Sequence, residues 1–406
     1  MTLHVAVLSM HTSPLAQPGT GDGGGMNVYV RELATSLARA GVSCDVFTRA
    51  DSESQPATIN VEPGFRVHNV VAGPVSRVAK EELPPLAAEF AVAVRERLEQ
   101  ARITPSLIHA NYWLSSVAGH QLKHELELPL VTTFHTLARV KAESSEPEPE
   151  LRIQMEQSTI GCTDMILANT RVESEELQRL YGADPARIEE VPLGVDHAFF
   201  SPGNRAGARA ALRLGSGPVL LYVGRIQPLK GTDLAVQTLA GLRHSNATLV
   251  VVGGPSGVDG HVEVERVKAM AAELGVADRI RWVDPQPHHL LSTYYRAADV
   301  CLVPSRTESF GLVALEAGAC GTPVVAANVG GLQTIVDPGM TGHLVNGRDP
   351  ADWAAAVDAI LSDPQAAAAM AFNAATRSQR YAWSYTAARL RRLYTDLTAR
   401  SLVVCA

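Results

Sequence analysis

Short apolar runs rich in Val, Ile and Leu recur through the first half of the chain without polar alternation: HVAVLSM (4–10), CDVFTRA (44–50), LIHANYW (107–113), LVTTFHT (130–136) and MILANT (165–170). Such runs predict strands covered on both faces, as in a parallel sheet flanked by helices. Helically spaced apolar positions lie between them. One predicted helix runs from Met26 to about Ala40 and stops at Gly41, a residue suited to a left-handed cap; others fall near 84–102 and 171–181. The same rhythm restarts at PVLLYVGRI (218–226) and continues through ATLVVVGG (247–254), IRWVD (280–284), DVCLVPS (299–305) and PVVAANVGG (323–331). Repeated strand–helix–strand units of this kind predict two doubly wound α/β domains. Pro and Gly interrupt all periodicity in VPLGVDHAFFSPGN (191–204), which places the join there. The expected division is 1–195 and 196–381. The final stretch, 382–406, is expected to pack back on the first domain through Trp383, Tyr385, Leu390, Leu393 and Tyr394 on one helix face. ESSEPEPE (143–150) reads as a solvated loop and AAAAMAFNAA (366–375) as a surface helix.

Composition narrows the function classes. With 406 residues the chain can bury two cores of ordinary size, and 46% hydrophobic against 19% charged residues is a globular balance. A net charge of −7 with no long basic run argues against nucleic acid or an anionic membrane as partner, since phosphate-backbone binding needs a clustered positive field. The five cysteines (Cys44, Cys162, Cys301, Cys320, Cys405) are scattered and lack CxxC spacing, which predicts reduced thiols rather than disulfides or zinc. No apolar run approaches the ~20 residues of a membrane span, and the opening segment is a poor signal peptide. A cytoplasmic location is expected.

Chemistry concentrates in three places. GTGDGGGMNVYV (19–30) contains Gly19-x-Gly21-x-x-Gly24, which formally matches a dinucleotide fingerprint. That fingerprint belongs directly after the first strand, whereas MHTSPLAQP intervenes here. Bare backbone N–H groups at the start of a helix suit an anion instead; a flexible connection is the plain alternative. VGRIQPLKG places Arg225 and Lys230 beyond a buried strand, where two fixed cations suit a diphosphate and a solvated charge pair is the plain alternative. RTESFGLVALEAGACGTPVV (306–325) carries Glu308, then a glycine turn, then a helix with Glu316. The N–H groups of Ser309, Phe310, Gly311 and Leu312 open that helix toward a phosphate, and the carboxylates can accept from sugar and ribose hydroxyls. Glutamates are usually solvated, but the apolar residues around this pair favour a site.

These residues resemble the retaining glycosyltransferases of GT-B fold, family 4, over nearly the whole chain. The glycine loop, the Arg225–Lys230 pair and the Glu308–Glu316 pair carry the resemblance. MHTSPLAQPGTGDGGGMNVYV, KEELP (80–84), NYWL (111–114) and FHTLARVK (134–141) narrow it to the branch acting on inositol phosphate in mycothiol biosynthesis. The resemblance implies two Rossmann-like domains facing across a cleft, and transfer of N-acetylglucosamine from UDP-GlcNAc to 1D-myo-inositol 3-phosphate. It places His11, Gln17, Pro18, Gly25 and Gln286 with the donor, together with Arg225 and Lys230 on the diphosphate. Glu308 and Ser309 to Leu312 would hold the transferred sugar and phosphate, and Glu316 the ribose. The acceptor set would be Lys80, Tyr112, Thr136 and Arg152 on the phosphate, with Asp22, Gly23, Gly24, Gly25, Met26 and Asn27 at the ring. A dianion needs cations and hydroxyl donors, which this set supplies. The catalytic group would be His135, Arg225, Lys230 and Glu308, with His135 near the reacting sugar but not assigned as base; a structural histidine is the plain reading. No cofactor is required. A peripheral magnesium ion at Tyr295, Arg296, Ala298 and Thr322, and a homodimer, are implied only by resemblance. Gln286 stands where relatives often have arginine, and the segment before Arg152 is short.

Two other readings stay open. One is a family 4 transferase using another nucleotide sugar and an aminocyclitol or thiol acceptor. The other is a dinucleotide-binding oxidoreductase using the glycine loop.

Overall fold

The structure, a computed structural model, describes residues 3–143, 148–257 and 260–405. The chain separates into two compact α/β units: 1–16, 26–192 and 383–406 form the first, and 17–25 with 193–382 form the second. Two details differ from the expected division. The glycine loop 17–25 belongs with the second unit, and the break in the chain falls between Pro192 and Leu193.

The first unit is built on an eight-stranded sheet. Its strands are β1 (His4–Leu8), β2 (Ser43–Arg49), β3 (Thr58–Glu62), β4 (Phe65–Val70), β5 (Leu107–Asn111), β6 (Leu130–Thr133), β7 (Met165–Ala168) and β8 (Ile188–Glu190), in the order β3-β4-β2-β1-β5-β6-β7-β8. All pairs are parallel except β3 with β4. β1, β5, β6 and β7 are buried along almost their whole length, which is why their sequences lack alternation. β3, β4 and β8 escaped the sequence reading. β3 and β8 are partly exposed edge strands with few consecutive apolar residues.

The predicted helices form where their caps lie. Helix Gly25–Arg39 ends before Gly41 at φ +82°, and helix Arg171–Tyr181 starts at Thr170, whose hydroxyl accepts from the Glu173 N–H, and stops at Gly182 in the left-handed region. Helix Trp383–Leu397 groups with the first unit, burying Trp383, Leu390 and Tyr394, with the Tyr394 hydroxyl 2.8 Å from His109 Nδ1. Tyr385, expected on that buried face, is 66% exposed, one helical step off the contact stripe.

The second unit has a six-stranded, all-parallel sheet. β9 (Val219–Val223), β10 (Thr248–Val252), β11 (Ile280–Val283), β12 (Val300–Val303), β13 (Val324–Ala327) and β14 (Gly342–Val345) run in the order β11-β10-β9-β12-β13-β14. Among its parallel strands each sheet reverses its strand order once, between β1 and β5 in the first unit and between β9 and β12 in the second. In open α/β sheets these reversals leave a crevice beyond the carboxyl ends of the strands, where ligands bind.

Candidate active site

In the second unit the predicted donor residues gather at its reversal point. Arg225 follows β9, and Glu308 follows the neighbouring β12. Lys230 stands on the short turn Pro228–Lys230, and its Nζ donates to Glu308 Oε2 (2.7 Å). The sequence had assigned these two to different parts of the ligand. Each is only partly exposed, at 27% and 19% for the side chains, so the ion pair is the state from which a diphosphate would draw Lys230.

The turn into helix Leu312–Ala319 is held by glycines. Gly311, the residue before the helix, has φ +98°. A side chain on Gly331 would meet Phe310 Cα and Ser309 O, both at 2.4 Å, while the Gly331 N–H donates to the Glu308 carbonyl (2.8 Å). The Gly330-Gly331 pair thus shapes the turn into that helix from another strand end. In the sequence this pair ends the run PVVAANVGG, and a glycine pair after a strand is the signal available there.

Glu316 is buried rather than open to solvent. His288 Nε2 lies 2.6 Å from its Oε1, and the Tyr295 hydroxyl donates to its Oε2 (2.8 Å). Burial, then the adjacent carboxylate, pushes the Tyr295 phenol far above its usual range, so it remains a donor. A carboxylate accepts about four hydrogen bonds, which leaves capacity for a diol. His288 and Tyr295 were missed because their roles depend on folding, not on spacing.

The glycine loop packs on this same unit. Ser256 Oγ, which donates to the Gly21 carbonyl (2.8 Å), also accepts from Arg225 Nη1 (3.2 Å). A side chain on Gly24 would come within 3.4 Å of Arg225 Nε, and one on Gly25 within 3.5 Å of Leu312. Gln17 donates to the carbonyls of Pro18 and Gln286, and Gln286 turns its own amide back to the Asp284 carbonyl. Asp22, Gly23 and Gly24, assigned by resemblance to the acceptor ring, therefore lie on the loop beside the donor cation; Asp22 is exposed.

In the first unit three of the expected acceptor residues, Tyr112, Thr136 and Arg152, come together near the ends of β5 and β6. Tyr112 and His135 follow β5 and β6 with φ of 74° and 62°, a strained conformation for residues with side chains. His11, beyond β1, packs on the Tyr112 ring with centroids 4.6 Å apart. Arg152, 4% exposed, lies over the same ring at 5.2 Å and donates through Nη2 to the Thr136 carbonyl (3.0 Å) and hydroxyl (3.1 Å). Its Nε donates to Glu156 Oε1 and its Nη1 to Glu148 Oε2, both 2.8 Å.

Glu148 and Glu156 were not foreseen. Glu148 belongs to the stretch expected to be a solvated loop, of which 144–147 lie outside the described residues. Its side chain is instead 9% exposed and ion-paired with both Lys141 and Arg152. Glu156 also accepts from the Ala138 N–H (2.9 Å) and the Tyr181 hydroxyl.

Lys80 stays apart: it pairs with Glu81 (3.5 Å), and among the described residues no hydrogen bond or ion pair ties it to Arg152. Met26 packs against the first unit's core. Asn27 is 1% exposed and donates to Thr12 Oγ1 (2.7 Å) and the Ser13 carbonyl (2.6 Å), so its N–H groups brace the backbone after β1 rather than face a ring hydroxyl.

The His135 residue is half-buried by surface area, but its ring is set against Tyr29 and its Nε2 lies 3.0 Å from Asn111 Oδ1. Burial, then His109 and His11, pulls its imidazole down to about 3. It is neutral at ordinary pH and a weak base.

The magnesium set fits poorly. The Tyr295 carbonyl already accepts from Thr322 Oγ1 (2.6 Å) and the Ala298 N–H (3.1 Å), the Arg296 guanidinium binds the carbonyls of Ser201 and Phe199, and none of the four residues brings a carboxylate of its own.

Comparisons with known proteins identify the family. Residues 23–199 match the model described as Glycosyltransferase Family 4, and 207–377 the one described as Glycosyl transferases group 1. A D-inositol 3-phosphate glycosyltransferase of Actinosynnema mirum is 47% identical, with 96% of each chain covered, and one of Xylanimonas cellulosilytica is 46% identical, covering 98% of this chain and 97% of the relative. Among solved structures, a sucrose-phosphate synthase from Thermosynechococcus elongatus superposes with a TM-score of 0.92 at 35% identity, over 98% of this chain and 99% of that one. The Anabaena HepE protein in complex with UDP and glucose shares the fold, with a TM-score of 0.79 at 20% identity over 97% of this chain and 100% of that one. The oxidoreductase reading falls. At this identity over nearly full length, the chain belongs to the D-inositol 3-phosphate glycosyltransferases, within the family 4 glycosyltransferases of GT-B fold.

Proposed function

We propose that the protein transfers N-acetylglucosamine from UDP-GlcNAc to 1D-myo-inositol 3-phosphate with retention at the anomeric carbon, an early step of mycothiol biosynthesis. The observation that carries the acceptor is the convergence of Arg152, Tyr112 and Thr136 at the ends of β5 and β6. A planar guanidinium with a hydroxyl beside it suits a phosphate monoester, an anion able to take the place of Glu148 on Arg152, whereas an unphosphorylated cyclitol or a thiol offers no such anion.

On the second unit, Lys230, Arg225 and the N-terminus of helix Leu312–Ala319 supply positive potential for a leaving diphosphate. Glu308, released from Lys230, accepts from hydroxyls of the transferred sugar, and Glu316 from the ribose. In this reading the acceptor hydroxyl attacks from the face the diphosphate leaves, and its proton passes to the departing phosphate oxygen. The protein's work is then positioning and charge stabilisation. A neutral His135 fits a hydrogen-bonding role at the sugar better than that of a general base.

A screen of purified protein against UDP-GlcNAc and UDP-glucose, each with inositol 3-phosphate, unphosphorylated inositol, an aminocyclitol and a hexose phosphate, tests the reading. Product from UDP-GlcNAc with inositol 3-phosphate is expected. Turnover only with another acceptor, or only with UDP-glucose, refutes it.

A further inference from the structure

Away from the acceptor residues, at the opposite ends of two helices of the first unit, four side chains with metal-ligand chemistry meet. His120 and His124 lie one turn apart on helix Trp113–Leu126, Cys162 ends helix Glu150–Cys162, and Cys405 comes from the segment after the last helix. Their ligand atoms all lie within 4.8 Å of one another. The sulfurs of Cys162 and Cys405 are joined as a disulfide in this structure, which overturns the sequence expectation that no cysteines pair. A separation of 243 residues hid the pairing from any spacing rule.

Two histidines beside that sulfur pair are more than a disulfide requires. We propose that, with both cysteines in the thiol form, His120, His124, Cys162 and Cys405 bind one zinc ion as a tetrahedral Cys2His2 site.

Once the sulfur–sulfur bond is reduced and the sulfurs part to about 3.8 Å, the geometry suits that ion. The distances from sulfur to Nε2 are 3.4 Å for Cys162 to His124, 3.6 Å for Cys405 to His120 and 3.2 Å for Cys405 to His124. Zn–S bonds of about 2.3 Å and Zn–N bonds of about 2.0 Å at tetrahedral angles give an S···N edge of about 3.5 Å. The spacing His-x3-His puts both imidazoles on one helix face, as in structural zinc sites.

The tail that brings Cys405 is itself anchored by buried charges. Lys123 Nζ donates to the carbonyls of Cys162 (2.6 Å) and Val403 (3.0 Å) and pairs with Asp164 (2.9 Å), whose Oδ1 accepts from the Val403 N–H (2.6 Å). Lys123 and Asp164 cancel as a pair, and two thiolates cancel the charge of Zn²⁺, so the filled site leaves no net buried charge. Binding to two thiols forms two Zn–S bonds and releases two protons. The ion would staple the ends of two helices to the final segment.

The test uses the full chain, reduced with a phosphine and freed of metal by a chelator. It is titrated with Zn²⁺ against a competing indicator, and with Co²⁺ while the absorbance is recorded. One ion per chain, proton release and a thiolate-to-cobalt charge-transfer band are expected. Cys405→Ser and His124→Ala should each weaken binding by more than ~100-fold, beyond the loss typical of outer-shell changes, with an unchanged circular dichroism spectrum. Both positions are at least partly exposed, so these variants fold. A reduced protein that takes up no stoichiometric zinc, a pair that stays a disulfide under excess phosphine, or variants that bind as tightly as the parent would each overturn the proposal.

Discussion

Glu148 is the most informative single position. The Arg152 guanidinium spends four of its five N–H donors on Glu148, Glu156 and Thr136, so an acceptor phosphate that takes more than one bond from it must displace one of them. Glu156 is the poorer candidate to yield, being fully buried and held by the Ala138 N–H and the Tyr181 hydroxyl as well. Glu148 is the more exposed partner, and a dianion entering there regains both Arg152 and Lys141.

The carboxylate therefore competes with the acceptor. A hydrogen bond between charged groups is worth about 1.5–3 kcal/mol, and a neutral amide in its place about 0.5–1.5 kcal/mol. Glu148→Gln keeps the volume and removes about 1–1.5 kcal/mol of competition, which is about tenfold in affinity. Arg152 keeps Glu156 and Thr136, so no buried cation is stranded. Steady-state kinetics should show the KM for inositol 3-phosphate falling about tenfold, with the donor KM unchanged. Inorganic phosphate should become a correspondingly better competitive inhibitor against the acceptor. An acceptor KM that stays the same or rises would refute the competition and, with it, the placing of the phosphate on Arg152.

Other positions give independent checks. Arg152→Ala should raise the acceptor KM far more than the donor KM, and equal effects on both would remove it from the acceptor set. Lys230→Ala should lower kcat by more than ~100-fold, comparable to losing one preorganised donor to a developing anion; near-normal turnover would deny it that role. Gly331→Ala forces a side chain into the backbone of Ser309 and Phe310, so thermal melting should show a loss of about 1–3 kcal/mol and donor binding should weaken; an unshifted melt would contradict the packing. His109, fully buried between Thr133 and Tyr394, is pulled by burial down to about 3. The unfolded chain takes up its proton as pH falls through about 6.5 while the folded protein does not, so stability drains away from pH 6.5 toward 3. By pH 5 this amounts to about 2 kcal/mol, and His109→Gln should flatten the pH dependence of the melting midpoint by that amount; parallel curves would refute it.

The sequence on its own determined what is local. Runs buried on both faces declare themselves by unbroken apolar stretches, and one helix end by Gly41, so two parallel sheets were legible. Arg225, Lys230, Glu308 and Glu316 were legible because ligands bind beyond strand ends, and those ends can be located from the strands.

What the tertiary structure alone decided is pairing. Edge strands β3 and β8 exist because a neighbour satisfies their backbone, not because of their own composition. Lys230 meets Glu308, Glu316 meets His288 and Tyr295, and Arg152 is clasped by two glutamates, one from a stretch that reads as solvated. Cys162 and Cys405 join across most of the chain, beside two histidines of a third segment. Charge neutralisation and ligand geometry act through space over a few ångströms. Periodicity acts along the chain, and it carries no record of which distant residue will arrive.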